Sequence, residues 1–139
     1  MAEVIAKTEQ IRLLAAAQKA SNHAYAPFSK FFVGAAIVTT IGETYTGCNV
    51  ENSSYGLTNC AERTAIFSAI AEGAGGGKLD IRAVAVINRE GIPCAPCGAC
   101  RQVIYEFGPE AIIIYRNKKG EITQTPIKEL LPEGFRLAE

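Results

Sequence analysis

Apolar residues recur along this chain in runs that alternate between strand-like and helix-like spacing. The strand-like runs are rich in β-branched residues and are Val33–Thr40, Thr44–Val50, Asp80–Asn88, Ala111–Arg116 and Glu121–Thr125. The tight turn Ile41–Glu43 joins the first two runs, which predicts a β-hairpin. The later strands alternate with helical segments, which predicts βα-type steps after the hairpin.

The helical spacing appears in three longer segments and one short one. Residues Glu3–Ala20 are alanine-rich and have a helical apolar pattern. From Ala61 onward the apolar residues fall on one helical face until Gly73 ends the segment. A third helix is predicted from Cys97 to the stop at Gly108-Pro109, and Pro126 opens a short helical turn through Leu131.

Together these segments predict an α/β fold of three layers, α/β/α, with a mixed sheet of about five strands. A chain of 139 residues is long enough for one domain with its own core. No repeat, linker or low-complexity segment divides it, so we expect residues 1–139 to form a single domain.

The charge balance narrows the classes of partner. The chain has 14 basic and 14 acidic residues and a formal net charge of zero. A polynucleotide partner would require a basic surface, so we expect a small-molecule substrate and no nucleic acid. No apolar run is long enough to span a membrane, and Met1–Gln10 lacks the pattern of a positively charged, apolar leader, so we expect no membrane partner. Five cysteines without a secretion signal predict reduced thiols and a cytoplasmic location.

The most informative stretches are Asn59–Arg63 and Pro96–Cys100. They contain Cys60, Cys97 and Cys100, which can serve as three thiolate ligands of a zinc ion. Three protein ligands leave the fourth tetrahedral position open, and a water bound there has a pKa near ~7. Glu62 lies two residues after Cys60, is not needed as a ligand and can move protons.

The predicted helix boundaries agree with this site. Cys97 and Cys100 share a face of the first turn of one helix, and Cys60 directly precedes another. Helix N-termini stabilise thiolates. Three thiolates with Zn²⁺ keep a net negative charge, and Arg63 is positioned to compensate for it.

Cys94 allows a different interpretation of the same cysteines. Cys94 and Cys97 also have ligand spacing, so Cys60, Cys94, Cys97 and Cys100 could form a closed structural zinc site in a non-catalytic binding module. Pro96 argues against this alternative, because it places Cys97 and Cys100 at the helix start and leaves Cys94 in extended chain before it. A closed site would also leave Glu62 without a function.

The segment GCNVENSSYGLTNCAER at Gly47–Arg63, followed by PCGACRQ at Pro96–Gln102, resembles the small homotetrameric cytidine deaminases. The resemblance extends over nearly the whole chain, and the sequence departs from the family pattern at Phe32 and Asn59. It implies one Zn²⁺ per chain held by Cys60, Cys97 and Cys100, with Glu62 as the catalytic residue. It also implies hydrolytic deamination of cytidine and deoxycytidine to uridine and deoxyuridine, with release of ammonia, in pyrimidine salvage.

The resemblance also implies the nucleoside contacts. They are Phe28, Asn49, Glu51, Ser53, Tyr55, Ala61 and Phe135. Strand alternation puts Asn49 and Glu51 on one face, where an amide and a carboxylate suit the hydroxyls of a ribose. From the sequence alone, these two residues could equally be the polar end of a strand without a ligand. Phe135 is expected to reach a neighbouring subunit's site or, alternatively, to seal its own subunit's surface. The implied assembly is a homotetramer with shared active sites.

Two related activities remain as alternatives. One is a small deaminase that resembles blasticidin S deaminase, which shares both metal motifs. The segment Asn49–Tyr55 matches the nucleoside enzymes better. The other is a polynucleotide-editing deaminase, which the neutral charge and short chain disfavour.

Overall fold

The computed structural model describes residues 4–137. The α-helices in this part are α1 (Lys7–Ser21), α2 (Ala61–Ala71), α3 (Gly98–Phe107) and α4 (Ile127–Leu130). The strands are β1 (Val33–Thr39), β2 (Thr44–Cys48), β3 (Ile81–Asn88), β4 (Ile112–Arg116) and β5 (Ile122–Pro126), and short 3-10 turns cover Tyr55–Leu57 and Ala74–Gly77.

The five strands form one mixed sheet in the order β2-β1-β3-β4-β5. The hairpin β1–β2 and the pairs β1–β3 and β4–β5 are antiparallel, whereas β3 and β4 are parallel because α3 crosses between them. Ala36 and Val38 belong to the core beneath α1, and Ala35 and Ile37 to the core beneath α2 and α3. Alternate residues of β1 therefore face opposite helical layers, and the predicted three-layer α/β/α fold is confirmed.

The N-terminal helix begins later than the pattern indicated. We predicted a helix from Glu3, which lies outside the described residues, but α1 begins at Lys7. Just before it, the backbone of Ile5 donates to Gln124 Oε1 and accepts from Gln124 Nε2, both at 2.9 Å. Residues before the helix therefore pair with a side chain of β5, a long-range contact that helical periodicity cannot reveal.

A close approach of helix and sheet sets the position of α2. A Cβ atom added at Gly47 of β2 would lie 2.4 Å from the backbone nitrogen of Ala65, well inside the closest normal contact. Glycine at this position lets α2 lie directly on the hairpin. The N-terminus of α2, which carries Cys60 and Glu62, is thereby held at the end of the sheet.

No α-helix among residues 4–137 has the length and apolar character that crossing a membrane would require.

Candidate active site

The N-termini of α2 and α3 meet, and they bring three thiols together. Cys60 is the N-cap residue of α2, Cys97 is the N-cap residue of α3, and Cys100 lies in the first turn of α3. Their sulfur atoms all lie within 4.8 Å of one another. Cys100 is buried, Cys60 is half-buried and Cys97 is exposed, so the cluster can be approached from the side of Cys97.

The spacing of the thiols fits zinc. Two thiolates bound at ~2.3 Å to a tetrahedral zinc ion are about 3.8 Å apart. The Sγ atoms of Cys60 and Cys97 are 3.8 Å apart. The donor set of three cysteines therefore suits one zinc ion in both chemistry and spacing.

The surroundings of Cys60 stabilise its thiolate. Hydrogen bonds from Cys100, Arg63 and Cys97 lower the pKa of Cys60 to about 5. Arg63 Nη2 donates to Cys60 Sγ at 3.3 Å, and contact with the thiolate cluster raises the pKa of the guanidinium. Its buried Nε–H has no acceptor among the described residues. Arg63 is therefore directed at the thiols rather than at solvent.

Glu62 lies beside the thiols and is almost completely shielded from water. It occupies the first turn of α2 and is 4% exposed. Burial raises the pKa of Glu62 to about 7, and the negative charge of Cys60 adds to the shift. A bound dication opposes this shift. A carboxyl group whose pKa lies near neutrality can both accept and return a proton, which is the property of a general acid–base.

Cys94 lies apart from the three-thiol cluster. It forms a β-bridge with Arg116, and its backbone nitrogen donates to the Arg116 carbonyl at 3.1 Å. Burial raises the pKa of Cys94 to about 12, so its thiol stays protonated. The four-cysteine structural site considered above is not assembled, because Cys94 is not among the clustered ligands.

Asn49 and Glu51, the predicted sugar-binding pair, contact the loop that carries Phe28. Asn49 Oδ1 accepts from the Val33 nitrogen at 2.9 Å, and its Nδ2 donates to the Phe31 carbonyl at 2.8 Å. Glu51 accepts hydrogen bonds from the backbone of Phe28 and from Ser29. Both side chains are at least nine-tenths buried, yet each keeps unused hydrogen-bonding capacity.

The other predicted contacts fall into an exposed group and a buried one. Phe28 and Tyr55 meet edge to face with ring centroids 6.1 Å apart, and both are more than half exposed. With Glu51 they line a cavity of about 430 Å³. Ser53 is exposed on the adjoining loop, whereas Ala61 is fully buried at the start of α2.

The ring of Phe135 contributes little to the core of this chain. Its side chain is 66% exposed, although its carbonyl accepts from Gln102 Nε2 of α3 at 3.3 Å. The backbone of the tail is therefore attached to α3, while the aromatic ring stays largely exposed.

Two residues near the site were missed by the sequence reasoning. Ser29 donates to Glu51 Oε2, and only its position directly after Phe28 could have drawn attention to it. Arg101 Nε donates to the Pro96 carbonyl at 2.7 Å and its Nη1 donates to the Leu130 carbonyl at 3.0 Å. Arg101 thereby ties the start of α3 to α4, and its place beside Cys100 in the motif was the available signal.

Comparison with known proteins agrees with this arrangement. The family described as "cytidine and deoxycytidylate deaminase zinc-binding region" matches residues 7–116. A cytidine deaminase from Sporosarcina psychrophila is 48% identical over 125 residues, which cover 89% of each chain. The crystal structure of cytidine deaminase from Burkholderia pseudomallei has a TM-score of 0.80 and 49% identity, covering 90% of this chain and 98% of that chain. A blasticidin-S deaminase from Bacillus cereus is 30% identical over 112 residues, covering 75% of this chain and 76% of its own.

Since the family match spans most of the chain, the protein belongs to the cytidine and deoxycytidylate deaminase family. Its Cys60, Cys97 and Cys100 cluster is compatible with one zinc site per chain.

Proposed function

We propose that this protein is a zinc-dependent hydrolase that converts cytidine and deoxycytidine to uridine and deoxyuridine with release of ammonia. The observation that carries the proposal is a cluster of three thiols beside a buried carboxyl group, Glu62, that is not one of the ligands. This combination provides a metal site with one open position and a proton carrier next to it. The whole chain is proposed to act as one catalytic domain, because a single sheet with a core on each face extends from α1 to α4.

Cys60, Cys97 and Cys100 would hold the zinc ion, which when bound supplies a Lewis acid that makes water nucleophilic near neutral pH. Glu62 takes the proton that the attacking water loses and delivers it to ring nitrogen N3, so that C4 becomes electrophilic. After the C4–O bond forms, Glu62 carries the second proton to the amino group. The C4–N bond then breaks and ammonia leaves.

The remaining residues would bind and orient the nucleoside. Asn49 and Glu51 have unused hydrogen-bonding capacity for the sugar hydroxyls. Phe28 is proposed to form a wall of the base pocket, and Ala61, Ser53 and Tyr55 to complete the substrate contacts. Arg63 would offset the charge of the thiolates, a role supported by its 3.3 Å contact with Cys60.

The degree of similarity favours a cytidine deaminase over a blasticidin S deaminase. The Sporosarcina cytidine deaminase is 48% identical to this chain, and the Bacillus blasticidin-S deaminase is 30% identical. The net charge of zero gives no support for a polynucleotide substrate.

Turnover of a substrate panel tests the proposed reaction. The zinc-loaded protein would be incubated with cytidine, deoxycytidine, cytosine, cytidine monophosphate and blasticidin S, and loss of the absorbance of the amino-substituted ring would be followed. We expect turnover of the two nucleosides only. Faster turnover of the monophosphate or of blasticidin S would contradict the proposed substrate.

We further propose that the enzyme is a homotetramer in which each active site is built from more than one chain. Phe135, Tyr55 and Leu57 are each more than 60% exposed, and in a monomer these apolar groups would face water. A neighbouring subunit would cover them, and the Phe135 ring would pack on the base in that neighbour's site.

Exchange of subunits tests the shared site. Phe135→Ala should raise KM for cytidine while zinc content stays the same, and Leu137→Ala, which changes a nearby exposed tail residue, should not. Mixing the Phe135→Ala chain with a Glu62→Gln chain should restore sites of low KM, because each chain supplies what the other lacks. A fully active monomer by light scattering would contradict this assembly.

A further inference from the structure

The carboxylate of Glu51 is enclosed by the loop of residues 26–31. Its Oε1 accepts from the backbone nitrogens of Phe28 at 2.9 Å and Ser29 at 3.2 Å. Its Oε2 accepts from the hydroxyl of Ser29. These three donors lower the pKa of Glu51, so the group is a carboxylate throughout the neutral pH range.

This enclosure leaves little of the carboxylate for a ligand. Each oxygen of a carboxylate has lone pairs for about two hydrogen bonds. Within residues 4–137, Oε1 accepts two hydrogen bonds and Oε2 accepts one, which leaves a single acceptor position, on Oε2. The oxygen that is still available to a ligand is therefore the oxygen that Ser29 holds.

The Ser29 hydroxyl is itself fixed in orientation. Its oxygen accepts from the Phe31 nitrogen at 3.0 Å, so its proton is directed to Glu51 Oε2. The chain turns sharply at this point, because Lys30 has a left-handed backbone with φ of 58° and its nitrogen donates to the Ala26 carbonyl. The hydroxyl is held by the turn on one side and directs the carboxylate on the other.

The loop has several attachments that do not involve the Ser29 hydroxyl. Asn49 bonds to the backbone of Phe31 and Val33, and Glu51 Oε1 keeps its two backbone donors. Loss of the hydroxyl should therefore leave the path of the loop intact and free the outer oxygen of Glu51. This separates an effect on Glu51 from a general loss of structure.

We propose that Ser29 is a positioning residue for substrate binding: it orients Glu51 Oε2 so that the remaining acceptor position of this oxygen meets a hydroxyl of the nucleoside sugar. The inference rests on the proposed function, since it assigns the ligand of that position to the sugar. Ser29 does not touch the reacting atoms, so it should affect binding of substrate and transition state alike rather than the chemical step.

The first test is the Ser29→Ala variant, assayed as zinc-loaded protein. We expect KM for cytidine to rise about tenfold, the size of effect typical of one hydrogen bond to a charged group, with kcat within about twofold of the parent. Zinc content should not change. Ser68→Ala is the matched control, because Ser68 Oγ donates to Glu72 Oε2 at 3.1 Å in α2, away from the sugar-binding pair. An unchanged KM for Ser29→Ala, or a loss confined to kcat, would overturn the proposal.

Double mutants and substrate analogues show whether Ser29 acts through Glu51. In a Glu51→Gln background, Ser29→Ala should cause less than about a twofold further change in KM, because coupled residues are not additive.

The effect of Ser29→Ala alone on KM should also disappear for one of the two nucleosides that lack a single sugar hydroxyl, deoxycytidine or 3′-deoxycytidine. Ser29→Thr keeps a hydroxyl group, and residue 29 is exposed. This variant should therefore have the KM of the parent. Full additivity with Glu51→Gln, an undiminished effect on both analogues, or a Ser29→Thr variant as poor as Ser29→Ala would each contradict the proposal.

Hydrogen exchange separates this inference from the proposed reaction. In zinc-loaded protein without substrate, Ser29→Ala should speed exchange at the backbone amides of positions 28 and 29, because Glu51 is less firmly held. Failure of the parent protein to deaminate cytidine would refute the proposed function, and unchanged exchange would refute the positioning of Glu51. Faster exchange in an active enzyme with an unchanged KM would refute the role of Ser29 in substrate binding.

Discussion

Replacing Glu62 with glutamine is expected to lower kcat for cytidine by about 10⁴-fold or more. General acid–base catalysis contributes about 10²–10⁴-fold to a rate when it serves one step, and Glu62 is proposed to serve several. Glutamine keeps the size of the side chain, which is 4% exposed at the start of α2, but cannot carry a proton. Zinc content and melting temperature should therefore stay close to those of the parent, while steady-state assays show the loss of rate.

The matched control for this change is Glu72→Gln. Glu72 lies at the opposite end of the same helix, is exposed and has no contact with the thiols, so kcat should not change. If Glu62→Gln deaminates cytidine within about tenfold of the parent rate, Glu62 is not the proton carrier and another group must be sought.

Replacing Cys100 with alanine is expected to abolish stoichiometric zinc binding and with it the activity. Cys100 is fully buried in the first turn of α3, and its loss leaves only two thiols for the metal. Zinc that binds only the folded protein stabilises it by about 4 kcal/mol at a thousandfold excess over Kd, so this variant should also melt about 10 °C or more below the zinc-loaded parent. Metal analysis and thermal unfolding in the presence and absence of a chelator measure the two effects.

Cys94→Ala is the control for the loss of a half-buried cysteine near the metal. Cys94 lies outside the three-thiol cluster, so this variant should keep one zinc per chain and retain activity. Cys60→Ala should instead behave like Cys100→Ala. Retention of zinc by Cys60→Ala together with its loss from Cys94→Ala would contradict the proposed ligand set and would support the four-cysteine structural site.

The cysteine spacing was sufficient to predict that Cys97 and Cys100 lie together. Cys97 and Cys100 are three residues apart, so any helix that begins at Cys97 places them on one face. Pro96 before them indicated where that helix starts, which separated Cys94 from the cluster. The structure agrees on both points, since α3 covers Gly98–Phe107 with Cys97 as its N-cap residue.

The interactions of Asn49 and Glu51, the proposed sugar-binding pair, could not be predicted in the same way. Strand alternation put Asn49 and Glu51 on one face, but their partners at Phe28, Ser29 and Phe31 lie 18 to 23 residues earlier in the chain. No local pattern specifies that a carboxylate will be enclosed by a distant turn. The resemblance to nucleoside deaminases indicated a ligand for both residues but gave no sign of the loop that they hold.

The sequence by itself therefore determined most of the elements, the shared helix face of Cys97 and Cys100 and the place of Glu62 beside Cys60, because periodicity and short spacings act within a single helix or strand. The meeting of Cys60 with the other two thiols depends on how α2 packs against α3. Only the tertiary structure decided how far α2 approaches the hairpin at Gly47, how deeply Glu62 is buried and which oxygen of Glu51 stays available. These properties depend on contacts between elements that are far apart in the chain. Their physical basis is packing: burial at the start of α2 raises the pKa of Glu62 to about 7, and the turn at Ser29 fills all but one acceptor position of Glu51.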